Sequence, residues 1–106
     1  MDISKFLAEV LRAARAAVEW SGADPLVFGG DLNVSPADRT GVFAQLEELG
    51  FSKPTAPDAI DHLLARGLEV AAPPRRLAAE EREVEAPDGL RIRLSDHAPV
   101  LAEFVR

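Results

Sequence analysis

Three short polar clusters stand at the edges of apolar runs in this sequence. They are Gly-Gly-Asp-Leu-Asn at 29–33, Ile-Asp-His-Leu-Leu at 60–64 and Ser-Asp-His-Ala-Pro-Val at 95–100. Residues i and i+2 of an extended chain share a face, so the side chains of Asp31 and Asn33 can point into one cleft. Gly, Asp and Asn are also ordinary turn residues, and any one cluster alone is more typical of a surface loop. The three together indicate a site.

The candidate site residues are Asp31, Asn33, Asp61, Asp96 and His97. Carboxylate oxygens bind hard cations, and a His beside a carboxylate can contact a phosphoryl oxygen. A second carboxylate such as Asp61 could hold the His97 imidazole in orientation and keep it protonated. Asp31 could orient or deprotonate an attacking water, with Asn33 as a neutral donor or ligand. This combination fits metal-assisted hydrolysis of a phosphoester.

Several of these residues also have a purely structural interpretation. Asp96 fits a turn and His97 fits a surface imidazole, which is the commoner situation for an isolated Ser-Asp-His. We interpret His62 as a neutral residue at the edge of the core and leave it out of the site. Four arginines could contact phosphate, although solvated hairpin arginines are commoner: Arg75, Arg76, Arg91 and Arg93.

Length and composition indicate one modest globular domain, because 106 residues with 47% apolar content suffice for a small core. The net charge of −6 argues against general electrostatic binding of nucleic acid.

There is no cysteine, so a metal would need carboxylate, amide, imidazole or backbone ligands. These ligands suit Mg²⁺, Mn²⁺ or Ca²⁺, and His with Asp could also bind Zn²⁺. No apolar run reaches the roughly eighteen residues of a membrane span. The N-terminus is amphipathic and charged, unlike a signal peptide, so we expect a cytoplasmic protein.

Apolar spacing predicts two helices that precede or follow the first cluster. Leu7, Val10, Leu11, Ala14 and Val18 form a stripe that predicts a helix over 3–20. The run 26–30 is uniformly apolar, as expected for a strand covered on both faces. Ser35-Pro36-Ala37-Asp38 has the form of a helix start, and the stripe Phe43, Leu46 and Leu49 predicts that this helix ends at Gly50.

The rest of the chain is predicted to be strands and turns. The run 59–64 is a candidate strand that would pair with 67–71 as a hairpin through Ala65-Arg66, and Pro73-Pro74-Arg75-Arg76 should break regular structure. The segment 77–85 is ambiguous between helix and irregular structure. Pro87-Asp88-Gly89 predicts a turn between hairpin strands at 84–86 and 90–94, and 100–105 is the last strand. A helix delivering directly into a strand favours a layered α/β or α+β sandwich.

The clusters Gly-Asp-Leu-Asn at 30–33, Ile-Asp-His-Leu-Leu at 60–64 and Ser-Asp-His-Ala-Pro-Val at 95–100 resemble the endonuclease/exonuclease/phosphatase superfamily, which has the DNase I-like fold. The resemblance covers residues 20–106. It implies that Asp31 and Asn33 position water and bind phosphate or metal. It also implies that Asp61 is the partner of a catalytic His97, and that Asp96 is a ligand of a divalent cation, Mg²⁺ or Mn²⁺.

The resemblance further implies half of a four-layer α/β/β/α sandwich, in which a mixed sheet carries two helices on one face. The family's earlier motifs, an Asn near the first strand and a metal-binding Glu, have no match before Asp31; Glu9 and Glu19 lie in the first helix. We therefore expect one unit, residues 1–106, corresponding to the C-terminal part of such a domain. It would act on a phosphoester in nucleic acid, a nucleotide, an inositol phosphate or a phospholipid head group. The alternative is a non-catalytic fragment or interaction module. An isolated half would form a homo-oligomer or pair with a missing N-terminal half through its uncovered sheet.

Overall fold

The computed structural model describes residues 3–93 and 97–106. It contains two helices and six strands, which makes the chain α+β: α1 (Ile3–Ser21), β1 (Leu26–Asp31), α2 (Val42–Glu48), β2 (Asp61–Arg66), β3 (Glu69–Arg76), β4 (Glu83–Glu85), β5 (Arg91–Arg93) and β6 (Val100–Val105). Single 3-10 turns lie at Pro36–Asp38 and Ala79–Arg82. Within the described ranges, neither helix has the length and apolar character needed to cross a membrane.

The described strands form three antiparallel pairs, β1–β2, β3–β6 and β4–β5. The predicted hairpin between 59–64 and 67–71 is wrong. β2 runs on through Ala65 and Arg66, so the predicted turn is part of the strand, and its ladder partner is β1. The chain reverses only at Gly67, whose φ of +79° favours glycine, and β3 then pairs with β6. All ladders among the described residues are antiparallel, and β6 contacts β2 without pairing with it. The described residues therefore do not form the single mixed sheet that was expected.

The core lies between the two helices and the β1–β2 pair. The predicted stripe of α1 is confirmed: Val10, Leu11 and Ala14 are buried. Val42 and Leu46 of α2 belong to the same core, which also contains buried residues from β2 and from the segments that follow β1 and α2: Leu64, Leu32, Val34 and Phe51. The helices contact each other, and α1 also contacts β1, so the helical layer holds this strand pair from one side.

The expectation that the first strand is covered on both faces is wrong. Leu26 and Phe28 are half-buried and pack against the core, whereas Val27, which points to the other face, is 48% exposed. Successive side chains of a strand alternate between faces, so this pattern is that of a strand with one packed face. An apolar run of three residues is too short to distinguish the two arrangements.

The segment 35–38 forms an isolated 3-10 turn and does not begin α2. The Asp38 carboxylate accepts a hydrogen bond from the Ser35 backbone N–H at 2.9 Å, as a helix start would require. Arg39 and Gly41 then take left-handed backbone conformations, with φ of 53° and 80°. A right-handed helix cannot continue through these conformations, so α2 begins at Val42.

Pro73 and Pro74 lie inside β3, so the prediction that 73–76 breaks regular structure is wrong. The β3–β6 ladder shifts register between Val70 and Ala72 and again between Ala72 and Arg75. A proline has no N–H to donate, and such irregular stretches are where a strand tolerates one. The predicted hairpin is confirmed as β4–β5, with Gly89 at φ +86° in its turn, and the predicted last strand is confirmed as β6. The ambiguous segment 77–85 contains the second 3-10 turn and β4.

Candidate functional site

The candidate site begins with two carboxylates that face each other across a strand ladder. Asp31 is the last residue of β1 and Asp61 is the first of β2, and the two are direct cross-strand partners. A further backbone hydrogen bond, from Leu32 N–H to the Ile60 carbonyl oxygen at 2.9 Å, continues the pairing past them. Like charges directly opposite in a ladder are destabilising. This arrangement therefore favours a positively charged group between the two side chains.

His97 brings its imidazole to these two carboxylates. Its Nδ1 lies 2.8 Å from Asp61 Oδ2, and its Nε2 lies 3.9 Å from Asp31 Oδ2. Because a carboxylate only accepts, the short contact places a proton on Nδ1. The side chains of Asp31, Asp61 and His97 are 41%, 25% and 50% exposed, so the cluster lies at a rim that solvent and a substrate can reach.

The backbone after β1 fixes the Asp31 side chain. Its Oδ1 accepts a hydrogen bond from the Asn33 backbone N–H at 3.0 Å, while its Oδ2 faces His97. Asn33 has φ +53°, a left-handed conformation that asparagine tolerates better than most residues. Leu32 and Val34 are buried on either side of the exposed Asn33 and anchor this loop to the core.

A glycine allows the two strands to approach closely next to the site. A Cβ at Gly29 would overlap the His62 carbonyl oxygen on β2 and would touch the Leu63 backbone. The following Gly30 has φ +133°, a conformation available almost only to glycine. Both glycines therefore have a structural reason, which is to let β1 pair with β2 up to the Asp31–Asp61 position.

His62 is a buried structural histidine, as interpreted from the sequence. It is 1% exposed, and its Nδ1 accepts a hydrogen bond from the Thr55 backbone N–H at 3.2 Å. Its Nε2 lies 3.0 Å from the Val34 carbonyl oxygen and must donate to it, so the ring is neutral with its proton on Nε2. The edge of this ring also packs against Phe43, at a centroid distance of 4.8 Å.

The structure thus brings three of the five sequence-predicted site residues together: Asp31, Asp61 and His97. Asn33 lies at the same rim, but its contact with the cluster among the described residues is through its backbone N–H, not its side-chain amide. Asp96, the residue assigned to the cation by resemblance, lies outside the described residues.

Asp31, Asp61 and His97 form a group that could hold a metal ion. One ligand atom from each residue lies within 4.8 Å of the others. Two carboxylate oxygens suit hard divalent cations, and an imidazole nitrogen is also accepted by Mn²⁺ and Zn²⁺. A bound cation would also offset the repulsion between the two facing carboxylates.

Sequence reasoning missed two residues around this site. Thr55 holds the backbone of β2 at the site, because its hydroxyl donates to the Asp61 carbonyl oxygen at 3.0 Å and its N–H donates to His62. Arg82 lines a cavity together with Asp61 and His97. Thr55 lies in a proline-containing loop and Arg82 in a charged run, and neither belongs to a motif; no local sequence signal could have identified them.

Comparison of the chain with protein-family models, with curated proteins and with solved structures gives no match.

Proposed function

We propose that this chain carries the C-terminal catalytic residues of a divalent-metal-dependent phosphoester hydrolase of the endonuclease/exonuclease/phosphatase kind. The observation that supports this most is the 2.8 Å contact between Asp61 Oδ2 and His97 Nδ1, with Asp31 Oδ2 3.9 Å from the other ring nitrogen. A carboxylate, an imidazole and a second carboxylate aligned in this way match the parts that phosphoester hydrolysis needs.

In this proposal the three side chains divide the proton-transfer and charge-stabilising work. Asp61 orients the His97 ring and stabilises its protonated form. Protonated His97 donates a hydrogen bond to a phosphoryl oxygen as negative charge develops there. Asp31 orients the attacking water and accepts its proton. An oxygen atom beside His97 Nε2 and Asp31 Oδ2 can be within hydrogen-bonding distance of both.

The proposed metal ligands are Asp31, Asn33 and Asp96, with Mg²⁺ or Mn²⁺ as the cation. Their carboxylate and amide oxygens are the donors that these ions prefer. When bound, the cation would neutralise charge on the phosphoryl oxygens. The proposed fold around the site is half of a DNase I-like sandwich, which would be completed by an N-terminal half.

Hydrolysis of bis(p-nitrophenyl) phosphate tests the proposal, measured with the chain alone and with the longest reading frame that contains it. We expect turnover in Mg²⁺ or Mn²⁺, loss of turnover in EDTA, and a strong decrease in Asp61→Asn, which removes the charge that orients His97. Glu103→Asn, a carboxylate removed from the exposed face of β6, is the control and should keep its rate. Turnover that is equal in EDTA, or unchanged in Asp61→Asn, would contradict the proposal.

The second candidate function is a non-catalytic interaction module. The observation that favours it is the lack of any buried side chain among the described residues from Arg66 onward, which leaves the later strands exposed. This candidate predicts that the chain associates with itself or with another polypeptide. It also predicts no metal-dependent turnover, either by the chain alone or by the longest reading frame that contains it.

A further inference from the structure

The cavity that adjoins the candidate site is lined by two arginine side chains, Arg76 and Arg82. It measures about 340 Å³, and its lining includes Asp58, Arg76 and Arg82 together with Asp61 and His97. This volume is at the lower end of the range for small-molecule pockets. A group bound in this cavity would therefore lie next to His97.

Arg82 differs from three neighbouring arginines in its hydrogen bonding. Each of these three forms an ion pair with a carboxylate: Arg75 with Glu81, Arg76 with Asp58, and Arg91 with Glu83. Arg82 is half-buried, and its Nε atom is buried with no hydrogen-bond partner in the part of the chain that the structure describes. A buried donor without an acceptor costs stability, and native structures contain few of them, so this one calls for an explanation.

We propose that Arg82 forms an anion subsite that binds a second phosphate group of the substrate, adjacent to the phosphoester at His97. This assignment rests on the proposed hydrolase function. A guanidinium presents several donors in a planar fork that matches phosphate oxygens, and a phosphate in the cavity would draw this fork toward it and give its donors an acceptor. The Asp58 carboxylate also lines the cavity, but its negative charge is paired with Arg76 and does not repel a bound phosphate. Both terminal nitrogens of Arg76 donate to it, at 2.8 and 3.4 Å.

The substrate class that follows is a small molecule with two neighbouring phosphate groups. One phosphate would contact Arg82, and the other would lie at His97. A long nucleic acid also has neighbouring phosphates, but the net charge of −6 disfavours its binding.

Calorimetric titration of the metal-free chain with pyrophosphate tests this subsite without requiring turnover. Arg82→Gln should weaken binding by about tenfold or more, as expected when a charged hydrogen bond is lost. Arg82→Lys keeps the charge but loses the planar fork, so its affinity for pyrophosphate should lie between those of the unmodified chain and Arg82→Gln. Arg106→Gln is the matched control, since it removes the same charge beyond the end of β6 that is remote from His97, and it should bind pyrophosphate like the unmodified chain.

Three results would overturn the assignment. They are the absence of pyrophosphate binding, an Arg82→Gln variant that binds normally, and an equal loss in Arg106→Gln, which would indicate nonspecific attraction. Tighter Arg82-dependent binding of a single-stranded oligonucleotide than of pyrophosphate would overturn the small-molecule class.

Two further results distinguish the subsite from the proposed function. Pyrophosphate binding through Arg82 without any metal-dependent hydrolysis would refute the proposed function and leave the subsite standing. Hydrolysis with normal pyrophosphate binding in Arg82→Gln would refute the subsite alone.

Discussion

The chain up to Ala65 and the chain from Arg66 onward are packed very differently. Every buried side chain among the described residues lies between Val10 and Ala65. Beyond them, no described side chain is buried, and this region holds six of the eight exposed large apolar side chains: Val70, Val84, Leu90, Ile92, Leu101 and Val105. The first region is therefore stabilised by a hydrophobic core, whereas the second depends mainly on strand pairing and surface ion pairs.

The candidate site lies on the border between these two regions. Asp31 and Asp61 are placed by the β1–β2 ladder, one face of which packs on the core. His97 comes from the exposed region, and its described contacts to the packed region include the Asp61 carboxylate. Regions with few buried apolar contacts open most easily. The carboxylates are therefore preorganised by packing, whereas the imidazole comes from a region without buried side chains and is oriented in part by its hydrogen bond to Asp61.

The largest expected effect is on catalysis, and it comes from the exposed region. His97→Ala should lower the hydrolysis rate by about 10²–10⁴-fold, because general acid–base groups contribute this much. Asp31→Ala should have a comparable effect. The midpoint of urea unfolding should change little in the His97 variant, because half of this side chain is in solvent. Near-normal turnover in steady-state assays would remove His97 from the mechanism.

The next effect is on stability and comes from the packed region. His62→Phe keeps an aromatic ring but leaves the Thr55 N–H and the Val34 carbonyl buried without their partner. Each such group costs about 1–3 kcal/mol, so the free energy of unfolding should fall by their sum. His97→Phe is the matched control, and urea denaturation should show no comparable loss. Equal stability of the two variants would show that the histidines do not differ as described.

A smaller effect is expected where the packed region meets the site. Gly29→Ala should destabilise the chain by about 1–3 kcal/mol, because its Cβ overlaps the backbone of β2 and the ladder must shift. The backbone amides of β1 and β2 should then exchange hydrogen faster, and the pairing of Asp31 with Asp61 across the ladder should be less well ordered. Unchanged exchange rates would mean that the ladder can absorb the methyl group.

Local patterns predicted much of this structure. The helical stripe around Val10 and the β4–β5 turn at Gly89 each depend on residues close in sequence, and the structure has both. The convergence of Asp31, Asp61 and His97 was expected because each cluster borders an apolar run, and these side chains do meet.

Long-range features could not be read in the same way. The choice of β1 instead of 67–71 as the partner of β2 depends on which strand covers the core, not on a turn motif. The prolines of β3 are tolerated because the ladder shifts register there, which no local pattern reveals. The unpartnered Nε of Arg82 is a property of the folded surroundings: Glu81 and Glu83 flank Arg82 in sequence, but their carboxylates pair with Arg75 and Arg91.

The exposed strands should also make the isolated chain associate. Sedimentation at micromolar concentration should show a dimer or larger species, because several apolar side chains of β3 and β6 remain in solvent. Leu101, which is 55% exposed, should bury part of its surface in that contact, so Leu101→Ser should weaken association by about 1–2 kcal/mol. Trp20→Ser, which removes an exposed apolar residue from α1, should have no effect. A stable monomer, or equal effects of both variants, would show that the exposed strands are not the interface.

The smallest effect concerns an ion pair that helps to hold the exposed region. The Glu81 carboxylate accepts from both terminal nitrogens of Arg75, at 3.1 and 3.2 Å, and from the Ala78 N–H at 2.9 Å. Hydrogen bonding to Arg75, and next to it the bond from Ala78, holds the pKa of Glu81 below its ordinary 4.5, and the same pair raises the pKa of Arg75. A carboxyl whose pKa is lowered by folding contributes stability above its ordinary pKa and loses it as the pH falls through the lowered value.

The pair is in solvent, so the measurement should be local: an NMR titration of the Glu81 carboxyl carbon between pH 7 and the acid-unfolding limit. Arg75→Gln should move the midpoint upward while the Ala78 bond keeps it partly lowered, and Arg91→Gln, which breaks the Glu83 pair instead, should leave it in place. A Glu81 midpoint at its ordinary value in the unmodified chain would show that this contact does not persist in solution, and that β3 and the turn at Ala79–Arg82 are held together by less than the structure indicates.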